Sequence, residues 1–405
     1  MISYCLASAF LVTPFGLLLL TILICWKPEH NRKYVLFIAL VFGLLGYSMY
    51  PNREIDISRY FLQLDKIRNY PFTEAYNWNN DGLVIKNIGF WFIAKLNNNQ
   101  LLPFVSMFIV YYCVAWLISR GVKENTRLFG IVLTLEIMML PFINIFSNVR
   151  NVVAFAIASI AVYRELYEGK RDAVTALLYL IPCFIHMTGI VIFVFRLFII
   201  VVSRLSHIGT WLVLSVPAFI LYLYPYFRGI RLPGSVGLIV QRLIWKSYSS
   251  ITKSSEYALS MQESGSFLAR RLITVCFTAA LYVVLLQYQR DAKRKTSREY
   301  ALYVETILIF SAILAVIGVV KYWIFAFVLL IAPTPIYAYC VRKAKRRNHV
   351  AVFCLMAMFG AACMSLILQF RGLYLNIMIP ELISGFMLTD YLMVFAQILR
   401  GIFAM

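Results

Sequence analysis

Apolar residues fill the chain in long blocks broken by short polar runs, from Ala7 to Arg400. A bilayer core about 30 Å thick takes about 20 helical residues per crossing, so each block reads as a membrane span. The blocks are residues 7–26, 33–50, 101–119, 128–146, 149–166, 173–186, 188–203, 209–227, 267–287, 301–320, 322–341, 350–369 and 377–399. They predict an all-α polytopic membrane protein with about 12–13 transmembrane helices. Linkers are short, so residues 1–405 read as one transmembrane domain. The first block lacks a basic leader and a small-residue cleavage site before Trp26, and it is expected to remain as a helix.

The polar runs orient these spans, because short loops rich in Lys and Arg stay in the cytoplasm. Lys27 to Lys33, Arg120 to Arg127, Arg164 to Arg171, Arg204 to His207, Arg290 to Arg298 and Arg342 to Arg347 fit that role. The N-terminus is then outside and the C-terminus cytoplasmic, in a bacterial inner membrane. This register requires residues 173–203 to cross twice, with a break around Pro182, His186 and Gly189. Each crossing is short, so the turn is expected inside the protein, where neighbouring groups satisfy its backbone.

Two long external segments follow, 51–100 and 228–266, so function is expected on the outer face. In the first, Ile57, Tyr60, Phe61, Leu64 and Ile67 recur at helical spacing opposite Asp56, Arg59, Gln63 and Lys66. This is the pattern of an amphipathic helix lying in the membrane interface. Asp56 and its neighbours serve there either as a helix start with solvated charges or as functional groups. The later run KNIGFWFIAKL is too short to span and is expected to dip into the outer leaflet.

Composition agrees with the blocks: 62% of residues are hydrophobic and 14% charged, and mean hydropathy is +0.79. The net charge of +20 would point to nucleic acid in a soluble chain, but topology accounts for about half of it here. No nucleic-acid partner is expected. The eight cysteines all fall in apolar segments without a CxxC pair, as buried small hydrophobes do. No GxxxxGK[ST] loop, HExxH motif or metal-spaced His/Cys cluster is present, so neither a built-in ATPase nor a metal or other cofactor is expected.

Several residues can carry chemistry. Ser147, Asn148, Arg150 and Asn151 fall at an expected external hairpin between two apolar helices. An arginine there is costly to desolvate unless paired, and its planar fork suits phosphate oxygens; the alternative is snorkelling to lipid headgroups. His186 sits at the external break, whereas His30, His207 and His349 lie in basic loops. It reads as a catalytic group or as a hydrogen-bonded structural one. Arg228, Arg231, Arg242, Lys246, Arg270, Arg271, Lys321 and Arg371 add further outer-side cations. Together they fit an anionic substrate such as a diphosphate, or anionic membrane lipid. The run SYSSITKSSEYALSMQESGS, with Tyr248 and Glu256, suits sugar binding or a flexible loop. Glu136 and Arg196 fall within spans and are functional candidates on that ground.

The arrangement resembles the EpsG and Wzy group of polysaccharide polymerases. Asp56 and Tyr60 after the second span, Asn148 and Arg150 leading into a helix with Ala154, and Phe184 with His186 one helix later carry the likeness. The late segment VVKYWIFAFVLLIAP, which holds Lys321, is similar to the group's cation-Tyr-aromatic span. Where the group commonly has Arg-Gln, this chain has Arg150 and Asn151.

The resemblance implies a GT-C-like helical architecture and metal-independent glycosyl transfer between polyprenyl-diphosphate-linked oligosaccharides, in O-antigen, capsule or exopolysaccharide synthesis. It casts His186 or Asp56 as general base. Arg150, Asn148, Arg59, Arg270, Arg271 and Lys321 then bind the diphosphate, and Tyr60, Tyr248 and Glu256 the glycan. It admits a chain-length regulator as a partner. Two other readings stand: a flippase or transporter for lipid-linked oligosaccharide, and another GT-C-type glycosyltransferase or ligase.

Overall fold

The computed structural model describes residues 31–47, 49–51, 56–78, 83–122, 126–140, 142–186, 189, 192–193, 196–199, 205–227, 265–292, 295–317 and 333–378. The helices, in order, are α1 (Asn31–Tyr47), α2 (Asp56–Ile67), α3 (Phe72–Trp78), α4 (Val84–Lys95), α5 (Leu101–Val122), α6 (Thr126–Met139) and α7 (Phe142–Ser147). They continue as α8 (Val149–Val162), α9 (Ala173–Ile185), α10 (His207–Phe227), α11 (Gly265–Asp291), α12 (Lys295–Ile317), α13 (Thr334–Lys345) and α14 (His349–Asn376). A π-helical turn, Tyr163–Tyr167, extends α8. Among the described residues one pairing of extended chain joins β1 (Tyr50–Pro51) antiparallel to β2 (Ile377–Met378).

The protein is an all-α polytopic membrane protein. Among the described residues, Leu101–Val122, Arg271–Asp291 and His349–Leu368 are long and apolar enough to cross a bilayer alone. Shorter apolar helices run over Val35–Tyr47, Leu128–Met139, Ala173–Ile185 and His207–Val216. The block 7–26 and most of 377–399 lie outside the described residues, and the block 128–146 divides into α6 and α7.

Close contact fixes α1 antiparallel on α5. A Cβ on Gly46 would lie 2.7 Å from Met107 Sδ and 2.8 Å from the Pro103 carbonyl oxygen, and one on Gly43 3.1 Å from the Phe104 ring. Without those side chains the helices approach near enough for Phe42 and Tyr111 to stack at 3.5 Å between ring centres. Lipid is as apolar as these side chains, so close van der Waals packing across the small-residue seam, rather than burial from water, holds the pair together.

Antiparallel packing sorts the loops by end. The α8–α9 hairpin closes at Asp172, whose side chain caps α9 by accepting from the Thr175 N–H at 2.8 Å. Asp172 also accepts from the Thr175 hydroxyl and from Arg164. These bonds, Thr175's first, hold the carboxyl at about 2 instead of the ordinary 3.8. At the same end Arg171 lies 3.7 Å from Glu299 and Lys343 2.6 Å from Asp291. The expected cytoplasmic loops after α8, α11 and α13 thus converge at one end, here the basic end.

The chain turns back after α9. Pro182 lies inside the last turn of α9, which ends at extended His186, and the Gly189 N–H donates to the His186 carbonyl at 2.9 Å. A Cβ on Gly189 would fall 2.5 Å from the Pro182 carbonyl carbon and oxygen, so only glycine fits this close approach. Arg196, ten residues beyond His186, reaches the basic end and pairs with Glu165.

Candidate functional site

The opposite end of the bundle carries the loops of the 51–100 segment. There α2 forms as its period demands: Ile57 and Leu64 are fully buried and Ile67 nearly so, while Arg59 is 76% exposed. It packs on α4 and α7. The layer is pinned by polar contacts: Arg68 bonds Asp65 at 2.7 Å and Asn99 at 2.9 Å. Asn98 donates to the Tyr47 hydroxyl at 2.6 Å, and the Trp91 indole N–H to the Tyr70 carbonyl at 3.2 Å. The short run read as dipping into the leaflet is α4, with Phe90, Ile93 and Ala94 buried.

The expected hairpin at Ser147 to Asn151 is built differently. The six-residue α7 fills the corner, and α8 starts afresh after Asn148, whose backbone is non-helical (φ −99°, ψ 46°) and whose side chain makes no capping hydrogen bond. Arg150 is therefore the second residue of α8. Its Nε donates to the Tyr60 hydroxyl at 3.0 Å, and its guanidinium carbon lies 4.9 Å from the Tyr60 ring centre. The ring in turn meets Phe90 edge-on at 5.6 Å. Stacking an arginine on an aromatic face keeps its charge while shielding one side from lipid and water.

Asp56, one turn before Tyr60 on α2, forms an exposed ion pair with Arg59, the residue next to that tyrosine. His186 ends α9, and since α9 runs antiparallel on α8, the histidine lies at the Arg150 end of the hairpin. The structure thus gathers Arg150, Asn148, Tyr60, Asp56, Arg59 and His186 at one end. Arg271 lies on α11, whose main packing partners are α12, α13 and α14. Lys321, Tyr248 and Glu256 lie outside the described residues, as does the side chain of Arg270.

One residue at this end was not singled out from sequence. Lys86, on α4, is 4% exposed, and its Nζ is 6.0 Å from the Phe90 ring centre. The available signal was a lysine four residues before a phenylalanine in an apolar run, a pair that shares one helix face.

Two further candidates make contacts within the bundle. Arg196 makes a two-pronged contact with Glu165, at 2.7 and 2.6 Å, and Tyr179 donates to the same carboxylate at 2.9 Å. Glu136 is fully buried and accepts from Thr334 Oγ1 at 2.6 Å. Thr334 opens α13, where the first free N–H groups favour a carboxylate. His207, expected in a basic loop, contacts the buried Glu305, which also accepts from Gln289 at 2.8 Å and Tyr282 at 3.1 Å. Among the described residues no group of three or more His, Cys, Asp or Glu could hold a metal ion.

No curated protein and no solved structure matches the chain. The family model described as the EpsG family matches residues 33–378, from α1 to β2, which includes every residue placed around Arg150. The chain belongs to the EpsG family.

Proposed function

We propose that the protein is a polymerase that joins polyprenyl-diphosphate-linked oligosaccharide repeat units at the external face of the bacterial inner membrane. The observation that carries this reading is the placement of Arg150. Its guanidinium stands in the first turn of α8, supported on Tyr60 from the amphipathic α2, at the same end as His186. A cation so placed suits a lipid-linked phosphate entering along the membrane interface. With the basic loops in the cytoplasm, the Arg150 end is external, the N-terminus outside and the C-terminus inside.

In the transfer, an acceptor sugar hydroxyl attacks the anomeric carbon of the donor glycan, and the bond to the diphosphate breaks. Arg150 meets the charge that develops on the departing diphosphate, an interaction strongest in the transition state. The hydroxyl proton goes to His186; Asp56 is already engaged by Arg59. Nothing in this scheme requires a metal ion. Membership of the EpsG family supports glycosyl-transfer chemistry of this kind, with O-antigen, capsule or exopolysaccharide as the product. A chain-length regulator would dock on the same external face.

The test is the length distribution of surface polysaccharide from cells lacking the gene, complemented with wild type or Arg150→Ala at matched membrane levels. Deletion is expected to leave single-unit glycan, wild type to restore the ladder, and Arg150→Ala to leave single units. An intact ladder in the deletion strain overturns the polymerase reading. Loss of all external glycan, single units included, replaces it with a flippase.

A further inference from the structure

We propose that the rings of Phe72, Tyr76 and Trp91 form a platform for the donor glycan, the sugars that run on from the diphosphate at Arg150; this rests on the polymerase reading above. Phe72 and Tyr76 fall four residues apart on one face of α3, and Thr73 and Asn77 fall four apart on the face beside it. Ala75 is buried and seats α3 on α4, while Phe72, Thr73, Glu74 and Asn77 are exposed. Phe72 meets Trp91 of α4 edge-on at 5.6 Å and Tyr76 at 5.9 Å, so the three rings are contiguous.

A pyranose ring offers a face of C–H bonds and a rim of hydroxyls. The C–H face suits the negative face of an aromatic ring, and the hydroxyls suit amides and carboxylates. α3 supplies both, since the Asn77 amide and the Glu74 carboxylate flank the ring stripe. Among the described residues, no ion pair or hydrogen bond engages the side chains of Glu74, Tyr76 or Asn77. Anchoring to lipid headgroups uses tryptophan differently, with the indole N–H turned to the wet interface. Here the Trp91 N–H donates to the Tyr70 carbonyl at 3.2 Å, and Phe72 beside it has no polar tip.

Continuity with Arg150 decides which glycan lies there. Trp91 follows Phe90 on α4, Phe90 meets the Tyr60 ring at 5.6 Å, and the Tyr60 hydroxyl accepts from Arg150 Nε at 3.0 Å. A donor whose diphosphate is held by Arg150 therefore begins its sugars next to α4, with the platform a short oligosaccharide's reach away. A glycan held at two linked places leaves less readily between additions than one held at a single place. The platform thus favours long products.

The experiment uses the full chain in phosphatidylcholine nanodiscs, titrated with oligosaccharide released by mild acid from the surface polysaccharide of the same cells. Wild type is expected to bind it, and Phe72→Ala to bind it about fivefold more weakly, the scale of one aromatic contact. Phe92→Ala, which removes an exposed ring of α4 outside the platform, is expected to bind as wild type does. In cells, Phe72→Ala at matched membrane levels is expected to shift the ladder to shorter glycans while still joining units, whereas Arg150→Ala leaves single units. If Phe72→Ala does not fold, Asn77→Ala decides: binding about fivefold weaker, the scale of one hydrogen bond, supports the inference and unchanged binding overturns it. Unchanged oligosaccharide affinity in folded Phe72→Ala overturns the platform and assigns its rings to the aromatic belt at the headgroups. Wild type that binds no oligosaccharide, with Arg150→Ala still abolishing the ladder, overturns the platform and leaves the polymerase reading standing. An intact ladder in the deletion strain defeats the polymerase reading itself, and the donor role with it.

Discussion

The two ends of the bundle treat their cations differently. At the basic end, charges are matched inside the protein: Arg196 with Glu165, Arg164 with Asp172, Lys343 with Asp291 and Arg171 between Glu165 and Glu299. At the Arg150 end, Arg59 and Arg68 pair with Asp56 and Asp65 on the exposed side of α2, while Arg150 and Lys86 lie against the rings of Tyr60 and Phe90. A carboxylate partner neutralises a cation and fixes it; an aromatic face positions a cation while its charge still reaches an anion. The comparison separates cations that close ion pairs from cations that lie on aromatic faces, a distinction that net charge alone hides.

That contrast yields graded expectations. Arg150→Ala should lower the rate of glycan extension by about 10²-fold, the usual effect of removing one donor aimed at developing charge. Arg150→Lys should recover only part of it, because an ammonium lacks the fork and the stacking. Chain extension in membrane vesicles with matched protein levels measures both. Glu165→Gln tests the other end, where it should destabilise the fold by about 2 kcal/mol by leaving Arg196 without its counter-charge. The thermal unfolding midpoint should fall while glycan length in surviving protein stays normal. If extension drops as steeply as in Arg150→Ala at equal folded amounts, the division between the two ends fails.

Tyr60→Phe keeps the ring under Arg150 and removes the hydroxyl that accepts from it. A loss of about 1 kcal/mol, or about fivefold in extension rate, is expected, with thermal stability nearly unchanged. The smallest effect belongs to Asp172. Its carboxyl sits at about 2 in the folded chain against an ordinary 3.8. The stability it supplies is complete above 3.8 and is lost as pH falls through about 2. Asp172→Asn should flatten the pH dependence of unfolding across that window and leave it unaltered at neutral pH values, apart from a constant offset. An unchanged slope would show that the cap is not formed in the membrane-embedded protein.

Features written in local spacing were legible in the sequence. The period of Ile57, Leu64 and Ile67 predicted α2 and its buried face, and the apolar blocks predicted α1, α5, α9, α10, α11 and α12 to within several residues. The break at Pro182, His186 and Gly189 followed from short spans and loop charge. What stayed hidden depends on partners far along the chain. Glu165 lies 31 residues from Arg196 and Glu305 lies 98 from His207, so neither pairing leaves a mark in spacing. Arg196 and Glu136 therefore read as functional candidates from their position in spans alone, with no sign of the partners they meet. Lys86 was hidden for the converse reason, since its burial depends on how α4 meets the rest of the bundle. The corner helix α7 reads as part of a longer span because apolar residues continue on both sides of Pro141, the one residue that marks the break.

The turn at Gly189 also shapes how this protein can change over generations. The atoms that a side chain there would strike are backbone atoms of Pro182, so no second substitution at Pro182 clears the space. Drift by point mutation is closed at the pivot even where neighbouring residues vary freely. A lineage that alters the reach of His186 does so by inserting or deleting residues in the turn, and related chains should differ there in length before they differ in the glycine.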